Sequence, residues 1–281
     1  MIETFTRPYA WQAIDLATSN AGAAILKAAL PAPRVTALNA EITAYLATSN
    51  LGLPATGSAD YDNFLGHNTI RMHGLIEKFP TSANVIGDPD IVSWAQRAMS
   101  PLAENVLLNA GELIEIQPGE PRQQAHRDSD SWPIPLSEHP FIVNAIFALD
   151  DFTEENGATW LAPHSWRWPK EQRAQTTDYQ RAVMDRGDAI IFRGDLVHRG
   201  GANASAEPRR GLSISYCAGW LRTVENTFMN HSFDTVRAQN ESVRALLGFG
   251  AYDGQAQQSG MLGLYENGHA GRYLDDEQPS H

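Results

Sequence analysis

Two histidines and one aspartate carry the strongest chemical signal in the sequence. His126-Arg127-Asp128 lies in the segment QQAHRDSDSW, and His198 stands 72 residues further on, in GDAIIFRGDLVHRGGAN. Side chains at i and i+2 of an extended segment point to one face, so His126 and Asp128 can converge on one ion. Two imidazoles and one carboxylate on one face of a metal form the ligand set of non-haem Fe(II) sites. Three protein ligands leave three positions open, enough for a bidentate cosubstrate and dioxygen. An isolated H-x-D arises often by chance in a solvated loop, so the more distant residues decide.

Arg209 is the decisive addition. It lies 11 residues beyond His198 and opens an apolar strand in SAEPRRGLSISYCAGW. A guanidinium is a planar fork that grips a carboxylate through two parallel hydrogen bonds. 2-Oxoglutarate chelates iron through its keto-acid end, and its far carboxylate then needs such a partner at the pocket floor. Alternation along a strand puts Arg209 and Arg210 on opposite faces, so one of the two can serve.

The elements that must position these residues change character along the chain. Ile14 to Leu30 reads as a helix stopped at Pro31, and Val35 to Leu46 as a second one with a helical apolar period. Gly52 to Asp62 reads as a loop, and Asp88-Pro89 as the cap and first turn of a helix over Ile91 to Leu108. From Gly111 onward short strands dominate: Gly111 to Gln117, Phe141 to Leu149, Ala158 to Leu161, Ala189 to Phe192 and Gly211 to Gly219. A last helix is expected over Phe233 to Leu247, and the polar tail from Gly254 to His281 is expected to be poorly ordered. Helices followed by many short strands make a mainly β fold with flanking helices, and such cores are sandwiches, barrels or jelly rolls.

Composition narrows the partners. The chain has 281 residues, with 33 acidic and 21 basic side chains, for a formal charge of −12. That balance argues against nucleic acid and against an anionic membrane surface as partners. The single cysteine, Cys217, excludes a disulfide framework and a thiolate metal site. With no apolar stretch of spanning length and no signal-peptide pattern, a soluble cytoplasmic protein is expected.

Several segments in the same order resemble the phytanoyl-CoA dioxygenase family of Fe(II)/2-oxoglutarate-dependent oxygenases, over roughly Ile70 to Leu247. They are the H-R-D at His126, the D-D-F-T-E-E-N-G-A-T run from Asp150 to Thr159, and the run from Gly187 to Asn203. The P-R-R-G-L of Pro208 to Leu212 and the G-W-L-R-T-V-E-N of Gly219 to Asn226 complete the set. The resemblance implies a double-stranded β-helix, that is, a jelly-roll core of the cupin kind. It implies Fe(II) on His126, Asp128 and His198, dioxygen as co-reactant, and Arg209 rather than Arg210 on 2-oxoglutarate. It adds Gln124, Thr159 and Arg71 as further cosubstrate contacts.

On this reading residues 1–281 are a single dioxygenase domain. It has a helical N-terminal part at about 10–110, a jelly-roll core at about 111–222, and a C-terminal helix and tail at 223–281. The resemblance further implies oxidation of an apolar small molecule in natural-product biosynthesis, and pairing into a homodimer. Fatty acyl-CoA and compatible-solute hydroxylation are the alternatives within the family. A zinc-type hydrolase, which has no use for Arg209 at that spacing, and a non-catalytic jelly roll with a residual metal, against which stand the intact ligands and arginine, are the alternatives outside it.

One segment departs from the family pattern. After N-G-A-T the family often has P-G-S-H, whereas this chain has Pro163-His164-Ser165-Trp166. His164 is expected to be a loop or pocket residue and not a ligand. Asp128 itself separates the chain from iron halogenases of this fold, which carry a small residue there. Trp132, Trp160, Trp166 and Trp168 could line a substrate pocket or pack elsewhere. His67, His73, His139, His231, His269 and His281 have no partner motif and read as structural or exposed.

Overall fold

The structure, a computed structural model, describes residues 1–49, 56–135, 137–252, 262–265 and 268–275. Ten strands build two sheets: β1 (Glu3–Phe5), β2 (Ala23–Leu26), β3 (Thr69–Met72), β4 (Val106–Ile116), β5 (Ile142–Ala148), β6 (Trp160–Leu161), β7 (Gln180–Arg181), β8 (Ala189–Arg193), β9 (His198–Arg199) and β10 (Arg209–Ala218). The large sheet has seven strands in the order β1-β2-β8-β5-β10-β4-β3. The small one has the order β7-β6-β9. All pairings are antiparallel except β1 with β2. This is the expected jelly-roll layout, with helices covering one face of the large sheet.

Alternation sorts the large sheet into two faces. On β10, Leu212, Ile214 and Tyr216 are fully buried and join Val143, Ala145 and Phe147 of β5 and Ala189 and Ile191 of β8 in one apolar cluster. Helices supply its other half: Leu38 and Ile42 from Ala32–Thr48, and Trp94 from Pro89–Met99. Each such side chain contributes about 1.5–3 kcal/mol by leaving water. Asp88 caps the second of these helices, accepting from the amides of Asp90 and Ile91 at 3.1 and 3.3 Å, as its sequence signature predicts. The opposite face of the same strands carries Arg209, Gly211, Ser213 and Ser215, and these line a cleft. A second cluster joins the sheets, with Ile190 and Phe192 of β8 against Ala158, Leu161 and Met184.

Several element boundaries differ from the sequence expectation. The helix expected over Ile14 to Leu30 ends at Asn20, and Ala23–Leu26 is instead the buried strand β2. Gly22 makes the break with φ +92°, and an added Cβ would meet Leu196 at 2.5 Å. A short apolar run such as AAIL has no periodicity that separates helix from buried strand, so its partner decides. The third helix stops at Met99, and β4 starts at Val106 rather than at 111. The N-terminal part is therefore not a helical addition alone, because β1, β2 and β3 extend the large sheet on both edges.

The expected C-terminal helix is two short ones, Phe233–Arg237 and Glu241–Leu246, each with its own side-chain cap, Ser232 and Asn240. Residues 52–55 of the expected loop lie outside the described residues, and Ala59–Leu65 is a helix capped by Ser58. Most of the tail beyond 254 also lies outside them. Its described part holds a hairpin of Leu264–Tyr265 with Gly268–His269 and the helix Gly271–Asp275.

Candidate active site

Backbone pairing explains how two histidines so far apart in sequence meet. His126 and His198 are cross-strand partners in an antiparallel bridge, with the amide of each donating to the carbonyl of the other at 3.0 and 2.9 Å. Residues directly opposite one another place their side chains on the same face, and the two rings lie 4.3 Å apart. The chain turns into a short 3-10 helix at Asp128, which returns the carboxylate toward both rings. One ligand atom from each of His126, Asp128 and His198 lies within 4.8 Å of the others. The Nε2 atoms are 3.4 and 3.7 Å from the Asp128 carboxylate oxygens.

The surroundings aim these groups. His126 Nδ1 lies 3.0 Å from the Gln124 carbonyl, and His198 Nδ1 lies 2.9 Å from the Leu196 carbonyl. A ring nitrogen facing a carbonyl carries the proton, so both Nε2 lone pairs face the gap between the ligands. Asn144 donates to Asp128 Oδ2 at 2.8 Å. Burial raises the Asp128 pKa, but His198, His126 and the Asn144 bond outweigh it and hold the carboxyl at about 2. Burial, with His126 adding to it and Asp128 opposing, pushes His198 down to about 4. At neutral pH the site therefore offers an ionised carboxylate and a neutral His198 imidazole, the forms that bind a metal.

The cleft in front of the triad encloses about 800 Å³. At its inner end Arg209 is 3% exposed and lies over the Phe152 ring at 4.0 Å. It donates to the Gly157 carbonyl at 2.5 Å, while its Nε has no partner. Burial, followed by repulsion from Arg71, lowers its pKa to about 9, with Asp150 opposing. It stays charged at neutral pH. A buried cation with an orphaned donor is costly unless an anion completes it. The donor set thus fits 2-oxoglutarate, and the triad fits iron. Gly211, two residues on, keeps the wall open there, since a Cβ would meet Phe152 at 2.7 Å.

Arg210 points to the other face and pairs with Glu115. Thr159 is buried in the cleft wall, and Arg71 lines it while bonding Glu112 and the Leu65 carbonyl at 2.8 Å each. Gln124 is exposed and outside the lining, and its neighbour Gln123 is in it. Residues 121–125 are not a regular strand, so Gln124 does not share a strand face with His126, and the cosubstrate contact that the resemblance implied for it has no support from its position. His164 is bonded to the Asn20 carbonyl and takes no part in the triad. It keeps the left-handed backbone, φ 66°, at the place where the family often has Gly. Of the four tryptophans, Trp132 lines the cleft and, with Trp166 and Trp168, an adjoining groove, while Trp160 meets Tyr179 edge-on.

Sequence reasoning passed over Asn144, Asn109 and Glu112 and read His73 as structural or exposed, and all four line the cleft. Asn144 had a readable signal, because it is the one polar residue in the run FIVNAIFAL. Asn109 had none, because it enters the cleft through a β-bulge. The register of β10 against β4 steps from Ala110 to Leu108 between Ser215 and Tyr216, which leaves Asn109 as the extra residue.

Residues 19–211 match the family described as Phytanoyl-CoA dioxygenase (PhyH). The iron/alpha-ketoglutarate-dependent dioxygenase penM of Penicillium thymicola is 31% identical over 216 residues, covering 74% of this chain and 68% of that protein. Dioxygenase olcK of Penicillium canescens is 32% identical over 200 residues, covering 69% and 66%. The chain thus spans about two thirds of the length of these curated relatives. Among solved structures, the epimerase SnoN in complex with Fe3+, alpha ketoglutarate and nogalamycin RO is similar in fold. Its TM-score is 0.61 at 19% identity, covering 75% of this chain and 85% of that one. The carbocyclase SnoK from nogalamycin biosynthesis gives a TM-score of 0.60 at 18% identity, covering 74% and 84%. With the triad, the buried arginine and the jelly-roll core in place, the chain belongs to the phytanoyl-CoA dioxygenase family of iron- and 2-oxoglutarate-dependent oxygenases.

Proposed function

We propose that the chain is a single-domain oxygenase that tailors a small natural product. In this reading Fe(II) is held by His126, Asp128 and His198, 2-oxoglutarate is anchored by Arg209, and Thr159, beside β6, and Arg71, on β3, line the same cleft. Bound iron, 2-oxoglutarate and dioxygen together supply oxidation of an unactivated C–H bond, with succinate and carbon dioxide as co-products. The chain's own part is placement. The backbone carbonyls of Gln124 and Leu196 fix the imidazole tautomers, and Asn144 fixes the carboxylate. Ile70, Ile114, Phe64 and Trp132 make the apolar wall that receives a small molecule.

The observation that carries this reading is the orphaned, buried Arg209 Nε at the inner end of a cleft that also holds the His-Asp-His triad. The named activities of penM and olcK, and the nogalamycin-pathway origin of SnoN and SnoK, support it. The test is anaerobic titration with Fe(II) and 2-oxoglutarate, followed by admission of oxygen. The expected result is the visible charge-transfer band of the chelate, then succinate. Absence of both, with activity on zinc instead, would sink the assignment.

Cytoplasmic residence and homodimer formation belong to the same reading. The buried free thiol Cys217 accords with a reducing compartment, and among the described residues no helix is long and apolar enough to cross a membrane. Light scattering tests the pairing.

A further inference from the structure

The cleft is not apolar throughout. On the wall formed by β3, β4 and β10 it carries His73 and Glu112, separated from the Arg209 end by the layer of Ile114 and Gly211. The two side chains face each other at 3.8 Å from His73 Nε2 to Glu112 Oε1. That distance is too long for a direct hydrogen bond. It leaves room for one small polar group to touch both.

The remaining contacts fix which atoms are offered. His73 Nδ1 faces the Gly111 carbonyl at 3.3 Å and the Glu225 carboxylate at 3.8 Å, so it looks away from the cleft onto two acceptors and carries a proton. Glu225 is itself locked by the amides of Gly74 and Gly111 and by Asn230, at 2.8–2.9 Å. Glu112 Oε2 is taken by Arg71 at 2.8 Å, which leaves Oε1 for the cleft. The cleft therefore presents a carboxylate oxygen beside an imidazole nitrogen, and a group that meets the carboxylate must donate. A hydroxyl or an N–H satisfies it, whereas a ketone or ether oxygen would face the carboxylate's lone pairs.

We propose that His73 and Glu112 form a specificity subsite for a hydrogen-bond-donating substituent, so that the substrate is an apolar skeleton bearing an O–H or N–H. This deepens the oxygenase reading and rests on it. Val224, Ile70 and Trp132 take the skeleton, and the pair sets its orientation across the triad. The Glu112 side chain is 16% exposed and its Oε1 meets His73 only at 3.8 Å, so a substrate lacking the donor covers that oxygen without giving it a partner and binds more weakly.

Two rigid scaffolds of different size, bornane and 5α-androstane, serve as probes, each as hydrocarbon, ketone, alcohol and amine. Binding is read by tryptophan fluorescence on oxygen-free protein loaded with iron and 2-oxoglutarate. On at least one scaffold the alcohol or amine is expected to bind tenfold or more tightly than the ketone and hydrocarbon. That gap should fall below twofold in both His73→Phe and Glu112→Gln. The glutamine still accepts from Arg71, so 2-oxoglutarate affinity should change less than twofold. If Glu112 instead acted only by positioning Arg71, 2-oxoglutarate affinity would drop while the donor preference persisted. Equal affinity across both series, no binding of any member, or a donor preference that survives both substitutions overturns the subsite. Failure of 2-oxoglutarate itself to bind overturns the oxygenase assignment, and the subsite with it.

Discussion

Strand β10 presents two different proteins on its two faces. Leu212, Ile214 and Tyr216 meet the helices in a dry, interlocked cluster. Arg209, Gly211, Ser213 and Ser215, which alternate with them, look into the cleft. One face is apolar and fully matched to its neighbours. The other buries a cation whose Nε is unmatched. Folding free energy comes from the first face, and the second spends part of it holding polar groups ready for a ligand. The lesson is that adjacent residues in one strand should fail in opposite ways when changed.

The strongest contrast is Asp128→Ala against Ile214→Ala. The first should abolish 2-oxoglutarate turnover, by at least about a hundredfold, with the fold intact by circular dichroism. The second should leave turnover per folded molecule unchanged while removing about 2–5 kcal/mol of stability in urea unfolding. If Ile214→Ala inactivated the folded enzyme, the two faces would not be separable.

Arg209→Gln comes next. Loss of one member of a buried charge pair is worth about 2–5 kcal/mol, so the 2-oxoglutarate Kd should rise at least about thirtyfold, measured by calorimetry. Asn144→Ala, behind the carboxylate, should weaken metal binding by about 10–100-fold without moving the 2-oxoglutarate Kd of the metal-saturated protein by a similar factor. The smallest effect on the site belongs to Arg210→Ala. Its side chain pairs with the buried Glu115 on the helix side, so a stability loss of about 3–5 kcal/mol with no change in 2-oxoglutarate affinity is expected. A large Kd change there would reverse the assignment of the two arginines to their faces.

What was legible in the sequence was the chemistry held in contiguous motifs. His126, Asp128 and His198 are a tripeptide and one distant residue, and the backbone bridge between the histidines realises their convergence directly. Strand parity put Arg209 and Arg210 on opposite faces, the family resemblance chose Arg209, and their contacts follow that division. What escaped lay where the pattern carries no period. Strand β2 is four apolar residues whose strand character comes from β8 and β1. Asn109 reaches the cleft only because a bulge breaks alternation. Glu112 read as the polar half of an amphipathic strand and His73 as an unpartnered histidine. Their meaning comes from facing each other across β3 and β4, a relation that no local spacing encodes.

The pairing of β2 with β8 has a consequence for how the molecule is made. Ala24 lies opposite Ile191, so nearly the whole jelly roll is synthesised before this edge can close. During that interval the apolar segment Ala23–Leu26 has only the three-residue β1 beside it and an open edge on its other side, and β5 lacks its neighbour β8. Pairings of such long sequence separation form slowly and leave strand edges open to other chains. Nascent chains arrested before Ala189 emerges should therefore depend on chaperones and lack native-like protease protection, and emergence of β10 through Ala218, which joins β5 to β4, should mark the onset of that protection.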